Sequence, residues 1–179
     1  MTIYNINVRA DLPRYVNANN LNKTGVEIGV LRGVFSEYIL THWKEGTLYS
    51  IDPWERKNTT HGDNLYTETK NKLSKFKKRS VILRKTSKAA SILFDNNSLD
   101  FCYIDGNHKL KSVEEDIRLW WPKVKQTGVL CGHDYDTLHT GVKVAVDRFA
   151  EETKLLIHVD KGSCATCGTH INKSWYIKK

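Results

Sequence analysis

The chain has 179 residues, 40% of them hydrophobic, and a formal net charge of +8. That length is close to one domain with a real core, and no apolar run approaches membrane-spanning length. The N-terminus lacks the basic and apolar regions of a signal peptide and cysteine is sparse, so a soluble cytoplasmic protein without a membrane partner is expected.

Residues 1–22 are polar and Asn-rich, and Leu12, Pro13, Tyr15 and Leu21 are their candidate anchors. They read as an N-terminal arm, irregular or briefly helical, ahead of a single domain over 23–179. The domain opens on Gly25-Val-Glu-Ile-Gly-Val-Leu-Arg-Gly33. Residues 26–28 read as a buried strand and 29–33 as a turn with two positions free of Cβ. Phe35, Tyr38, Ile39 and His42 then form one face of a helix. Such a turn lets backbone approach a ligand while the helix start offers unpaired N–H groups. Taken alone it is also compatible with simple packing of a helix on a sheet. Glu27, a carboxylate at the end of a buried strand, needs partners, and Asp52 ends the next strand over 47–51, where a nucleotide site places a carboxylate on ribose. Glu-x-Gly-x-x-x-Gly with a later strand-end Asp departs from the dinucleotide fingerprint. It resembles the first two motifs of the class I S-adenosylmethionine methyltransferases.

A polar loop over 55–64 holds His61, and Asp63 is the expected cap of the helix that follows. Lys70, Lys72, Lys75, Lys77, Lys78, Arg79, Arg84, Lys85 and Lys88 concentrate the positive charge, with Leu65, Leu73 and Phe76 as the inner face. A solvated helix face accounts for this run; a phosphate-binding patch is the alternative, without interleaved aromatics for base stacking. A third strand over 80–84 and a short helix over 89–94 follow. The fourth strand, 99–104, delivers Asp105-Gly-Asn-His108. Ser112-Val-Glu-Glu115 has the pattern of a capping box for a helix burying Val113, Ile117, Trp120 and Trp121. A fifth strand over 128–132 delivers His133-Asp134-Tyr135-Asp136, and a helix over 140–152 buries Val142, Val146, Phe149 and Ala150. Strands over 155–159 and 174–177 close the chain as an antiparallel pair. The alternation predicts an α/β fold, a Rossmann-like, doubly wound, mostly parallel seven-stranded sheet with an antiparallel C-terminal strand and helices on both faces. Ligands of such sheets lie beyond the carboxyl ends of the strands, where Glu27, Asp52, Ser87, Asp105 and Asp134 fall.

Asp105 and Asp134 offer hard oxygen ligands suited to Mg²⁺, and His108, one short turn beyond Asp105, is placed to take a proton from a hydroxyl. His133 is a third ligand, an orienter of Asp134, or a hydrogen-bonded residue without metal contact. Asp105-Gly106 read alone is a turn, and His108 alone an exposed loop residue. The glycine run, Tyr103-Ile-Asp-Gly-Asn-His108 and Gly132-His-Asp-Tyr135 with Gly141-Val-Lys-Val-Ala-Val-Asp147 together resemble the family of the metal-dependent macrolide sugar O-methyltransferases and the cephalosporin hydroxylase-type proteins. The resemblance spans roughly Val26 to the last strand. It implies S-adenosylmethionine as cofactor, with Glu27, Gly29 and Gly33 at the methionine part, Asp52 at the ribose and Ser87 at the adenine side. It implies Asp105 and Asp134 as ligands of Mg²⁺ or Mn²⁺ and His108 as the base; beside it, His133 is the candidate third ligand, and Asp105 is also a candidate catalytic and cofactor-binding residue. Some relatives have an acidic pair where this chain has His133-Asp134. O-methylation of a sugar hydroxyl on a glycan or small molecule is the expected reaction. RNA methylation, supported by the lysine run, and a non-catalytic cofactor-binding module are the alternatives, and a homo-oligomer is compatible with the sequence. Cys164-Ala-Thr-Cys167 with His170 has half the spacing of a zinc site, with His158 a distant candidate; an ordinary hairpin loop is the simpler reading.

Overall fold

In the computed structural model, which describes residues 6–55, 61–162 and 172–179, helices and strands alternate along most of the chain. In order they are α1 (Leu12–Ala18), β1 (Thr24–Ile28), α2 (Val34–His42), β2 (Thr47–Ile51), α3 (His61–Leu73), β3 (Ser80–Leu83), α4 (Ser87–Ser91), β4 (Leu99–Ile104), α5 (Leu110–Trp120), β5 (Val124–Gly132), α6 (Thr140–Thr153), β6 (Ile157–Val159) and β7 (Trp175–Lys178). Period-two alternation within the strands supplies two cores. Val26, Ile28, Cys102, Ile104 and Leu130 share one with Val113, Ile117 and Trp120 of α5 and Val142, Val146 and Phe149 of α6. Phe101, Tyr103, Val129 and Cys131 face the other way, against Leu12, Tyr15 and Val16 of α1 and Phe35, Ile39 and Leu40 of α2. Both faces of the sheet are therefore covered, as parallel strands require. No helix among the described residues is long and apolar enough to cross a membrane.

The strand order is β3-β2-β1-β4-β5-β7-β6. β7 runs antiparallel to both of its neighbours, and the remaining pairs are parallel. The register places Ile28, Ile51, Ile104 and Gly132 side by side. Gly29, Asp52, Asp105 and His133 therefore leave the sheet at one level. At this level four backbone bonds extend the ladder beyond the strands: Gly29 donates to Ile51 at 2.9 Å, Asp52 to Leu83 at 3.3 Å, Asp105 to Ile28 at 2.7 Å and His133 to Ile104 at 3.0 Å.

Several boundaries differ from those read in the sequence. Asp63 is not the cap of α3, because the helix already begins at His61; Asp63 lies in its first turn and accepts from Arg84 at 2.5 Å. The capping box at Ser112 is not formed either. Asn107 accepts from the Lys109 amide at 3.0 Å, Lys109 becomes the N-cap, and α5 starts at Leu110. α4 covers Ser87–Ser91 rather than 89–94, leaving Ile92 exposed, and β5 begins four residues early at Val124. The lysine-rich helix is broken: after Leu73 a 3₁₀ segment continues to Arg79, with Lys77 at φ 52°. Of the two readings of the arm, the described part takes the helical one, as α1, and its expected anchors are buried. Leu12, Tyr15 and Leu21 are buried, and Trp43 donates its indole N–H to the Leu21 carbonyl at 2.8 Å.

Candidate active site

Beyond the carboxyl ends of β1, β2 and β4 lies a cleft of about 950 Å³, lined among others by Glu27, Gly29, Asp52, Ser87, Asp105 and His108. The glycine turn forms its floor. Gly29 has φ +84°, and a Cβ there would stand 2.0 Å from the Asp105 carbonyl oxygen, so this crossing of β1 and β4 admits only glycine. Gly33, at φ 68°, is the N-cap of α2; it does not line the cleft but turns the chain into the helix. Asp52 holds the turn in place, its Oδ2 accepting from the Val30 and Leu31 amides at 3.0 Å each, and its Oδ1 from Trp54 at 2.7 Å. Those bonds fix Leu31 at φ 53°, with its side chain 46% exposed at the rim.

Glu27 is 1% exposed. Burial pushes its carboxyl up to about 8, although the Ser36 hydroxyl donates to Oε2 and Arg9 lies near. Ser36 in turn accepts from Ser50 at 3.0 Å, so one buried chain of hydroxyls supports this carboxyl. Ser87 reaches the opposite wall. Its hydroxyl donates to Asp116 and accepts from the Trp120 indole at 2.8 Å. Burial raises Asp116 to about 6.

The residue that sequence reasoning missed is Arg9. It sits in the 3₁₀ turn before α1, and its Nη2 donates to Asp105 Oδ2 at 2.8 Å. The guanidinium lies 3.8 Å from the Phe35 ring centroid and 5.0 Å from that of Tyr103, and only 12% of the side chain is exposed. Burial opposes its charge, but Tyr103, Asp105 and Glu27 prevail and hold the guanidinium more firmly protonated than usual. Nothing local in Val8-Arg9-Ala10-Asp11 marks an inward-pointing arginine. Pro13 at the start of α1 signals a helix, and only the docking of that helix turns Arg9 toward the sheet.

The far side of the cleft is built from side chains on loops. His108 Nε2 lies 2.9 Å from Asp134 Oδ2, and its ring is 41% exposed. His133 Nδ1 stands 3.1 Å from Asp134 Oδ1 and 3.9 Å from Asp105 Oδ1, while Asn172 donates to Asp134 Oδ1 at 2.5 Å. Burial works to raise Asp134, but His133, followed by His108 and Asn172, prevails and holds it at about 2. Asp105 moves the opposite way, raised by burial against the pull of Arg9 and His133. His139, also missed in the sequence, packs edge-on against His108 with centroids 4.6 Å apart. Asp134 and His133 do not line the cleft itself; they meet it through His108 and Asp105. Cys164, Cys167 and His170 lie outside the described residues, and His158 is held by the Ile6 carbonyl at 2.7 Å.

Ligand atoms of Asp105, His133 and Asp134 lie within 4.8 Å of one another, as do those of His108, Asp134 and His139. With Asp105 Oδ2 taken by Arg9, Oδ1 is the oxygen turned toward His133. Two carboxylates and an imidazole at this spacing fit a divalent cation that keeps water or ligand oxygens in its remaining positions.

Residues 26–135 match the profile of a family described as a methyltransferase domain. No curated protein matches the chain. Solved structures share its fold at low identity. An O-methyltransferase of Bacillus cereus in complex with SAH is 11% identical with a TM-score of 0.72, over 95% of this chain and 80% of that one. The O-methyltransferase TomG of Streptomyces achromogenes, involved in tomaymycin synthesis and bound to SAM, is 12% identical with a TM-score of 0.69, over 96% and 79%. A Clostridium thermocellum protein assigned as an rRNA methylase is 13% identical with a TM-score of 0.69, over 100% and 98%.

Proposed function

The chain belongs to the methyltransferase-domain family; from that premise we propose that it is an S-adenosylmethionine-dependent O-methyltransferase acting on a hydroxyl of a sugar, on a glycan or a glycosylated small molecule. The observation that carries this reading is the single cleft shared by Glu27, Asp52, Asp105 and His108. In it the turn and Glu27 receive the methionine end of the donor, Asp52 the ribose and Ser87 the adenine side. The sulfonium carries its own leaving group, so the protein needs only to align an acceptor oxygen and remove its proton.

His108 is the base. With Nε2–H donating to Asp134, which stays ionised, Nδ1 is left to accept the hydroxyl proton. As the acceptor oxygen bonds to the methyl carbon, the carbon–sulfur bond breaks, its electron pair returns to sulfur and the proton passes to His108. Asp105, Asn107 and Ser112 give the acceptor side polar partners suited to a polyol. Asp105, His133 and Asp134 are the residues that would hold Mg²⁺ or Mn²⁺, and such a cation would supply a lowered hydroxyl pKa.

Methyl transfer from labelled S-adenosylmethionine to a panel of saccharides, with and without EDTA, tests the reading. Replacing His108 by Ala is expected to lower kcat by about 10²- to 10⁴-fold with donor binding retained; unchanged turnover overturns the assignment of the base. Loss of activity in EDTA, restored by Mn²⁺, supports the cation. RNA methylation is the second reading, favoured by the likeness to the protein assigned as an rRNA methylase. Against it, Lys72, Lys75, Arg84 and Lys88 of the basic stretch are each paired with a carboxylate. Affinity for RNA that falls steeply with salt would favour it. Tight donor binding without transfer to any acceptor would favour a non-catalytic module.

A further inference from the structure

A methionine end brings a carboxylate as well as an ammonium into the cleft, and the acidic residues assigned above answer only the ammonium. The Val30 and Leu31 amides of the glycine turn are committed to Asp52, and the Gly29 and Gly33 amides to backbone carbonyls. Among the described residues, three cations line the cleft: Arg9, Arg32 and Lys88. Arg32 is paired with Glu68 and Lys88 with Glu115, and their side chains are 53% and 74% exposed. Arg9 alone is buried, and it is clamped in place by Phe35 and Tyr103.

Its guanidinium is also under-used. Of five N–H groups, one donates to Asp105, and buried Nε has no hydrogen-bond partner among the described residues. A planar fork with donors to spare, wedged between a buried carboxyl and a strand-end carboxylate, matches the bidentate geometry of a further carboxylate.

We infer that Arg9 is the carboxylate clamp of the methyl-donor site, holding the α-carboxylate of the donor's methionine end beside Glu27 while Nη2 stays on Asp105. This rests on the donor reading proposed above. It makes the N-terminal segment part of the site: the donor's amino-acid end bridges α1's turn to the tip of β4, and the enzyme discriminates against donors or products lacking that carboxylate.

Calorimetry with three ligands tests the inference: S-adenosylhomocysteine, its decarboxylated analogue, and 5′-methylthioadenosine, which lacks the whole amino-acid end. The wild-type chain is expected to bind S-adenosylhomocysteine about 10- to 100-fold tighter than the decarboxylated analogue, the ratio set by one charge-assisted contact. In Arg9→Met that ratio is expected to collapse to within about threefold, with methylthioadenosine affinity unchanged. Because Arg9→Met leaves Asp105 without its cation, Arg9→Lys is measured beside it. Lysine keeps the charge without the fork, so the ratio is expected to fall part of the way even where the methionine variant does not fold. A ratio near one in the wild-type chain, or a full ratio persisting in Arg9→Lys or in folded Arg9→Met, overturns the clamp. Failure of the wild-type chain to bind S-adenosylhomocysteine and methylthioadenosine alike would overturn the donor reading itself.

Discussion

The two sides of the cleft are built by different means. On the glycine side the backbone is the scaffold: Asp52 spends its carboxylate on three amides, and Gly29 leaves no room for a side chain against β4. On the histidine side the loops carry side chains that hold one another, with Asp134 in the left-handed region at φ 59° and bonded to His108, His133 and Asn172. The first side is set once the sheet forms. The second is a network whose members can be exchanged without disturbing a strand, and on the function proposed above acceptor specificity is most easily varied there.

Breaking the glycine side should cost most. In Gly29→Ala the new Cβ stands 2.0 Å from a backbone oxygen at φ +84°, where neither atom can give way cheaply. A loss of about 3–5 kcal/mol is expected, lowering Tm by about 10 °C or more, with donor binding and turnover failing together because the clash moves Asp105. Gly33→Ala, whose Cβ would meet the Thr69 methyl at 2.9 Å, is the milder control. Thermal melts of both variants decide the matter: equal Tm values would show that the turn does not lock the two strands.

Next in size is an opposition in pH between the sides. Burial raises Glu27 to about 8, so its contribution to stability is present below its unfolded value and drains away as pH rises through about 8. Asp134 is held at about 2, so its contribution is present above its unfolded value and is lost as pH falls through about 2. Glu27→Gln stays neutral and still accepts from Ser36. The variant is expected to gain up to about 4 kcal/mol over the wild-type chain at pH 9 and little at pH 5. Urea melts at the two values measure the gap, and a gap independent of pH would show that Glu27 is ionised throughout.

The same contrast explains what could be read from the sequence. Glu27, Gly29, Asp52 and Asp105 were legible because strand periodicity and the level of strand ends place them almost without reference to side chains. His108 and Asp134 were legible as chemistry but not as partners, since their contact depends on two loops meeting. Arg9 and His139 were not legible. Each enters through the docking of a separate segment, α1's turn against Phe35 and the loop before α6 against His108, and no local pattern encodes such a tertiary contact. The capping box at Ser112 failed for a related reason: a local signal lost to Asn107, which moved the N-cap of α5 three residues earlier, to Lys109.

The smallest effect expected sharpens the histidine side. His139 Nδ1 lies 3.2 Å from Asp136 and 3.8 Å from Asp134, and its ring steadies His108. His139→Phe keeps the ring contact and removes the nitrogens. If His139 only positions His108, kcat is expected to fall about threefold with the donor Kd unchanged. A fall nearer 100-fold, recovered in part by added Mn²⁺, would instead place His139 with His108 and Asp134 around a cation, and would shift the centre of the chemistry from Asp105 toward the α6 loop.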